Sequence, residues 1–341
     1  MIKDSVFAAL ELAELRRAER RRFLKMAGAS TAAIGGLSLL AACGDDNDDL
    51  IPNPTPSPTP TPTPGVTVTD GDILNLALNL EYLEAQFYSF AAFGTGLPES
   101  SLTGSVGTRG AVTGGRKVPF TDPLVAAYAR EIAADEIAHV NFLRTAIGST
   151  AVAQPAINID GGANGAFTAA ARAAKLVGAT ENFDPYLNDN TFLLSAFLFE
   201  DVGVTAYKGA APLLSSATFL EAAAGILAAE AYHAGLVRTV IYAKGLDAST
   251  GLRQGANAIS DARDSLDGTT GAQADLDQGV TGSDASISNI VPADGNAIAY
   301  SRTTQQVHNI VYLRTTAGVG GGFFPNGTNN AVAALRTSGA F

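Results

Sequence analysis

The chain has 341 residues, a formal net charge of -11, 46% apolar residues and only 16% charged ones. So much apolar content at so low a charge density excludes a disordered chain, and the acidic balance excludes a binder that must neutralise nucleic-acid phosphates. With one Cys and three His, a disulfide framework and a cysteine-rich metal site are excluded too, so any metal chemistry rests on carboxylates and at most three imidazoles.

At the N-terminal end, Arg20-Arg21-Arg22-Phe23-Leu24-Lys25 precedes a weakly apolar run from Met26 to Ala42, which closes in Leu40-Ala41-Ala42-Cys43-Gly44. A run of 17 residues is of export-signal length and marginal for a membrane span. The RRxFLK pattern resembles a twin-arginine export signal, although Glu19 stands where Ser or Thr usually precedes the arginines. Leu-Ala-Ala-Cys resembles a lipobox, in which the Cys becomes the lipidated first residue. These resemblances imply that residues 1–42 are a signal peptide and that Cys43 carries a lipid anchor. The protein is then exported and held in the cell envelope, in the periplasm or at the cell surface. Twin-arginine export carries folded proteins, so a metal inserted in the cytoplasm would be retained.

Residues 43–67 are first polar and acidic, and from Pro52 to Pro64 alternate Pro with Thr, Ser or Asn. Such a segment forms a semi-rigid polyproline-II stalk, reaching ~3.1 Å per residue or roughly 40 Å in all.

Residues 68–245 carry long Ala- and Leu-rich stretches that predict four helices, at about 70–92, 122–147, 190–213 and 217–245. Asp70 and Thr121-Asp122-Pro123 mark the first two starts, and Gly148 and Gly245 the ends of the second and fourth. The second and fourth repeat each other, because IAADEIAHVNFLRTAIG (132–148) lies without gaps on ILAAEAYHAGLVRTVIY (226–242). The first and third match as well: NLEYLEAQFY (79–88) lies on LFEDVGVTAY (198–207), placing Glu81 on Glu200 and Tyr88 on Tyr207. A doubled helical hairpin predicts an all-α four-helix bundle. The connections at 93–121 and 148–189 are long, as befits loops that cover a site. Residues 246–341 add two short helices, at 258–266 and 303–313, in a Gly-, Asp- and Ser-rich extension expected to wrap the bundle. Such a wrapping argues against a 24-subunit cage.

The chemistry lies on the repeat. Glu136/His139 and Glu230/His233 are both Glu-x-x-His, and i, i+3 spacing puts both members of each pair on one helix face. The other two helices supply Glu81 and Glu200. Apolar residues surround Glu200 on nearly every side of its helix, so it points inward, where an unpartnered carboxylate is costly. Two Glu and two Glu-x-x-His form the six-ligand set of di-iron and di-manganese bundles, so the expected cofactors are two divalent ions, iron or manganese. Asp135 and Glu131 are expected to be solvated or to support the ligands from outside, and Asp201 to face away.

LNLALNLEYLEAQFYSFA (75–92), FLFEDVGVTAYKGA (197–210) and the two Glu-x-x-His blocks resemble the ferritin-like superfamily, in particular the ferritin-like domain family that includes plant desiccation-related proteins. SRTTQQVHNIVYL (301–313) and GGGFFPNGTNN (320–330) resemble that family's tail, with Thr304 and Asn330 as departures. The resemblance implies a ferritin-like bundle and a Tyr seven residues beyond each metal glutamate, as Tyr88 and Tyr207 stand to Glu81 and Glu200. That spacing favours Glu81 over Glu84 as the ligand on the first helix. The two tyrosines are then either redox relays or core residues hydrogen-bonded near the metals, and His308 is a tail histidine packed on a short helix. The reaction expected is oxidation chemistry on O2 or H2O2, either ferroxidase or peroxide-consuming, in stress protection. The alternative is a non-catalytic structural or desiccation-protective envelope protein with a structural metal or none.

Overall fold

A computed structural model describes residues 67–268 and 276–340. The expected export signal, Cys43 and the Pro-rich segment expected to form a stalk lie outside the described residues.

Each of the four long helices begins where a side chain can take the free N–H groups of its first turn. Helix α1 (Asp70–Phe93) is capped by Thr69 and Asp72 reciprocally, one residue earlier than Asp70 suggests. Asp70 instead accepts from Ser215 N at 2.8 Å and Ser216 N at 2.9 Å, pinning this end to the start of the fourth long helix. Helix α2 (Pro123–Ile147) has Asp122 as its cap and Pro123 at its first position. After a short α3 (Ala166–Ala173), helix α4 (Asp189–Ala210) starts at a reciprocal Asn188/Thr191 cap, and α5 (Ala217–Lys244) at Ser216. Gly94 ends α1 in the left-handed conformation, φ 82°, which glycine adopts without a Cβ penalty.

Helices α1 and α2 pack as one hairpin and α4 and α5 as the other, with further contacts from α1 to α4 and from α2 to α5. The long connections are more ordered than loops. Strands β1 (Val112–Gly114) and β2 (Ile157–Ile159) pair in parallel, Val112 against Ile157, and α3 follows them. Periodicity misses these because each is too short to show a repeat. Their apolar residues are spent on one aromatic nucleus: Phe167 of α3 and Phe199 of α4 both meet Phe323 edge-on, at 5.1 and 5.0 Å between centroids.

The C-terminal extension does pack on the bundle. Helix α6 (Leu252–Asp267) begins six residues before the expected start and touches α4 and α5; α7 (Thr304–Tyr312) touches α4 and α6. Fully buried Phe323 and Phe324 anchor the Gly-rich tail, each burial contributing roughly 2–3 kcal/mol. Asn329 then exchanges hydrogen bonds with Asn79 of α1 at 2.7 and 2.8 Å. His308 is buried: Nδ1–H donates to Thr304 O at 2.7 Å, and burial lowers its pKa to about 4, so it is a neutral structural residue. No described helix is long and apolar enough to cross a membrane.

Candidate metal centre

The six residues singled out by the repeat converge in the middle of the bundle. Glu81, Glu136, Glu200 and Glu230 are at most 1% exposed, and His233 is 4% exposed. His139 is the one nearest to solvent, its side chain 13% exposed. Donor atoms of Glu81, Glu136, His139 and Glu230 lie within 4.8 Å of one another, and so do those of Glu136, Glu200 and His233.

Glu136 belongs to both groups. Its Oε2 lies 3.5 Å from His139 Nδ1, and its Oε1 lies 3.2 Å from His233 Nδ1. His139 Nδ1 is also 3.2 Å from Glu81 Oε2 and 3.7 Å from Glu230 Oε1, while His233 Nδ1 is 3.5 Å from Glu200 Oε2. The two rings stand 6.4 Å apart. The helical spacing of each Glu-x-x-His therefore does what it promised: both side chains of a pair face the same interior.

The tyrosines act crosswise between the repeats. Tyr88 of α1 donates to Glu200 Oε1 on α4, and Tyr207 of α4 donates to Glu81 Oε1 on α1. Each bond ties up one carboxylate oxygen and leaves the other aimed at a histidine. Both tyrosines are thus bonded directly to the expected ligands, and burial beside these glutamates pushes both phenols well above their ordinary pKa.

The electrostatics are those of carboxylates crowded together out of water. Burial first, then the Glu136 charge, raises Glu81 to about 7 and pushes Glu230 well above the ordinary range. Burial likewise raises Glu200 and Glu84, whereas the imidazoles of His139 and His233 beside Glu136 outweigh its burial and hold it low. Burial alone would lower the histidines, but Glu136 and Glu81 raise His139 to about 10, and Glu200 with Glu136 raises His233 to about 12. Both oxygens of Glu136, both of Glu230 and Oε2 of Glu200 are buried with no hydrogen-bond partner among the described residues. Such atoms are rare in folded proteins and demand a partner.

Several neighbours take roles that the sequence left open. Asp135, half exposed, accepts from His233 Nε2 at 3.1 Å, while Glu131 is exposed. Glu84 is buried on α1, lining a small apolar cavity with Leu83, Phe199, Val202 and Gly203, and stands outside both donor groups. Its counterpart in the repeat, Gly203, is required for space: a Cβ there would collide with Glu230. Asp201 does face away, into a buried set of guanidinium groups from Arg238, Arg263 and Arg302, which sequence reasoning missed. A signal was present, because Arg238 repeats Arg144, and Arg144 donates to Tyr82 at 2.5 Å just as Arg238 donates to Asp201 at 2.7 Å.

Comparisons with known proteins point the same way. The ferritin-like domain profile matches residues 69–243, just over half of the chain. Desiccation-related protein PCC13-62 of Craterostigma plantagineum is 29% identical over 246 residues, covering 70% of this chain and 76% of its own. Ferritin-like catalase Nec2 of Nesocodon mauritianus is 26% identical over 284 residues, covering 79% of this chain and 86% of its own. No solved structure matches significantly. With a doubled hairpin that gathers four glutamates and two histidines inside it, and with the domain profile running from the cap of α1 to the last turn of α5, this chain belongs to the ferritin-like family.

Proposed function

We propose that the chain is a di-metal carboxylate protein of the cell envelope, using two iron or manganese ions for redox chemistry on O2 or H2O2 in stress protection. The observation that carries this reading is the set of orphaned buried oxygens on Glu136, Glu200 and Glu230, which two cations would satisfy. Glu81, Glu136, His139 and Glu230 would hold one ion, and Glu136, Glu200 and His233 the other, with Glu136 shared between them. A bound pair of such ions supplies one-electron steps and a coordination position open to an oxidant.

The chain's own residues prepare that chemistry. Tyr88 and Tyr207 orient the carboxylates they bond, and Asp135, by accepting from Nε2, leaves the Nδ1 lone pair of His233 for the interior. Leu83, Phe199 and Val202 keep bulk water from the α1–α4 side. Similarity to a protein named a ferritin-like catalase favours H2O2 as substrate, two molecules giving O2 and two of water without an outside reductant. Similarity to a desiccation-related protein favours the second reading, a non-catalytic protective protein whose metal is structural or absent.

The test is metal analysis of chain folded in the cytoplasm, with H2O2 consumption by wild type and Glu136→Ala. About two ions per chain and turnover that the substitution abolishes support the enzyme. The same two ions without turnover support the structural reading, and no bound metal sinks the enzyme and leaves the structural reading in its metal-free form.

Attachment to a membrane through lipid on Cys43, with the Pro-rich stalk as spacer, is part of the proposal and rests on the lipobox resemblance. Cys43→Ala should move the protein from the detergent-soluble membrane fraction to the aqueous one; unchanged partitioning would refute the anchor. The extension packed on α4 and α5 supports an assembly short of a 24-subunit cage, and the acidic charge supports a protein without nucleic-acid partners.

A further inference from the structure

The two halves of the centre come from one repeated hairpin, so a difference between them is a difference in sequence at matched positions. Residue 135 of α2 corresponds to residue 229 of α5, each one position before its glutamate and four before its histidine. Position 135 is Asp and position 229 is Ala, and both side chains sit at intermediate burial on the outer edge of the bundle. From α2, Asp135 Oδ2 reaches across to His233 on α5 and accepts its Nε2–H at 3.1 Å. The mirror-image contact, from residue 229 back to His139 on α2, would need a carboxylate where there is only a methyl group. Among the described residues His139 is contacted by glutamates at Nδ1, and no carboxylate is recorded at its Nε2.

Holding one ring nitrogen by a carboxylate fixes the tautomer and orientation of an imidazole and makes its other nitrogen a stronger donor. The His233 side also has the smaller donor group, three residues against four. We infer that Asp135 is a positioning residue for one member of the ion pair: it holds His233 so that Nδ1 is presented beside Glu200, a support that the ion beside His139 lacks. The two metal positions are therefore inequivalent, and the inequivalence can be moved by exchanging one residue. This inference rests on the di-metal reading above.

Stepwise calorimetric titration of the metal-stripped chain with Mn2+ tests it. Asp135→Ala should weaken one of the two binding steps by about 10- to 100-fold and leave the other unchanged, with Asp135→Asn in between. In a His233→Ala background, Asp135→Ala should add nothing. Ala229→Asp should tighten the step that Asp135→Ala spares. Equal weakening of both steps, an unaltered isotherm, or a full Asp135 effect without His233 would overturn the inference while the di-metal reading stands. Failure of the wild type to take up any Mn2+ overturns both.

Discussion

Glu200 and Asp201 are neighbours on α4, both buried, yet they enter two polar clusters of opposite character. Asp201 accepts from Arg238 at 2.7 Å and Arg263 at 2.8 Å; Asp277 accepts from Arg263 at 2.6 Å and Arg302 at 2.7 Å; Asp267 takes Arg302 Nε at 2.7 Å. Three guanidinium groups face three carboxylates, so the charges of this cluster balance, even though Asp201 Oδ1, Asp267 Oδ1 and the Nε atoms of Arg238 and Arg263 have no hydrogen-bond partner among the described residues. It joins α6 and the segment at 276–302 to α4 and α5. On the other side of the helix, Glu200 joins a buried cluster with Glu81, Glu84, Glu136 and Glu230, which only two imidazoles offset. The comparison teaches that burial alone says little about function. A charge-balanced cluster is a rivet, whereas one with surplus carboxylate invites cations.

The largest way to break the contrast is to open the balanced cluster. Arg263→Ala leaves Asp201 and Asp277 short of a partner and should cost about 3–5 kcal/mol in urea unfolding. The carboxylate cluster should respond to metal instead. Mn2+ at a hundredfold excess over its Kd should stabilise the chain by about 2.7 kcal/mol for each ion bound, an increment that a chelator removes in a thermal melt. In Arg263→Ala the same increment should persist, because the two clusters are separate.

Acidity separates the clusters next. In the metal-free chain Glu81 titrates near 7 and His139 near 10, both above their unfolded values. A raised pKa means that the folded state binds the proton more tightly, so the stability it adds is lost as pH rises, between about 4.5 and 7 for Glu81 and about 6.5 and 10 for His139. The melting temperature of chelated protein should therefore fall from pH 5 to pH 9. With Mn2+ present the trend should weaken or reverse, since the ions displace those protons.

Smaller still, Glu230→Gln should change metal-free stability by no more than about 1 kcal/mol, because burial and the Glu136 charge already favour the protonated form of that group, yet it should impair uptake of one ion. Least of all, Arg109→Ala removes an exposed pair with Glu99 and should cost about 0–1 kcal/mol, a baseline for the buried arginines.

How far the chain could be read without coordinates differed by element. The four long helices were legible, since each carries enough turns for its apolar spacing and caps to show. The short strands, α3 and the early start of α6 were not, because they form only where aromatic packing such as Phe167 on Phe323 rewards them. At the site, the six glutamates and histidines were legible from a spacing that is local to one helix and then duplicated. The partners of Asp135 and Asp201 were not. Each aspartate lies beside a ligand position, and nothing nearby in the chain says that one reaches His233 and the other Arg238 and Arg263.

Composition, helical period and the internal repeat thus determined the bundle and which side chains share a face, because a helix places i and i+3 neighbours together whatever surrounds it. Tertiary structure alone decided which faces meet. Contacts between residues 37 to 126 positions apart, such as Arg238 with Asp201 and Tyr207 with Glu81, depend on how one helix is rotated against another. That rotation is set by packing over the whole interior, and it gathers carboxylates around Glu136 that are buried without hydrogen-bond partners among the described residues.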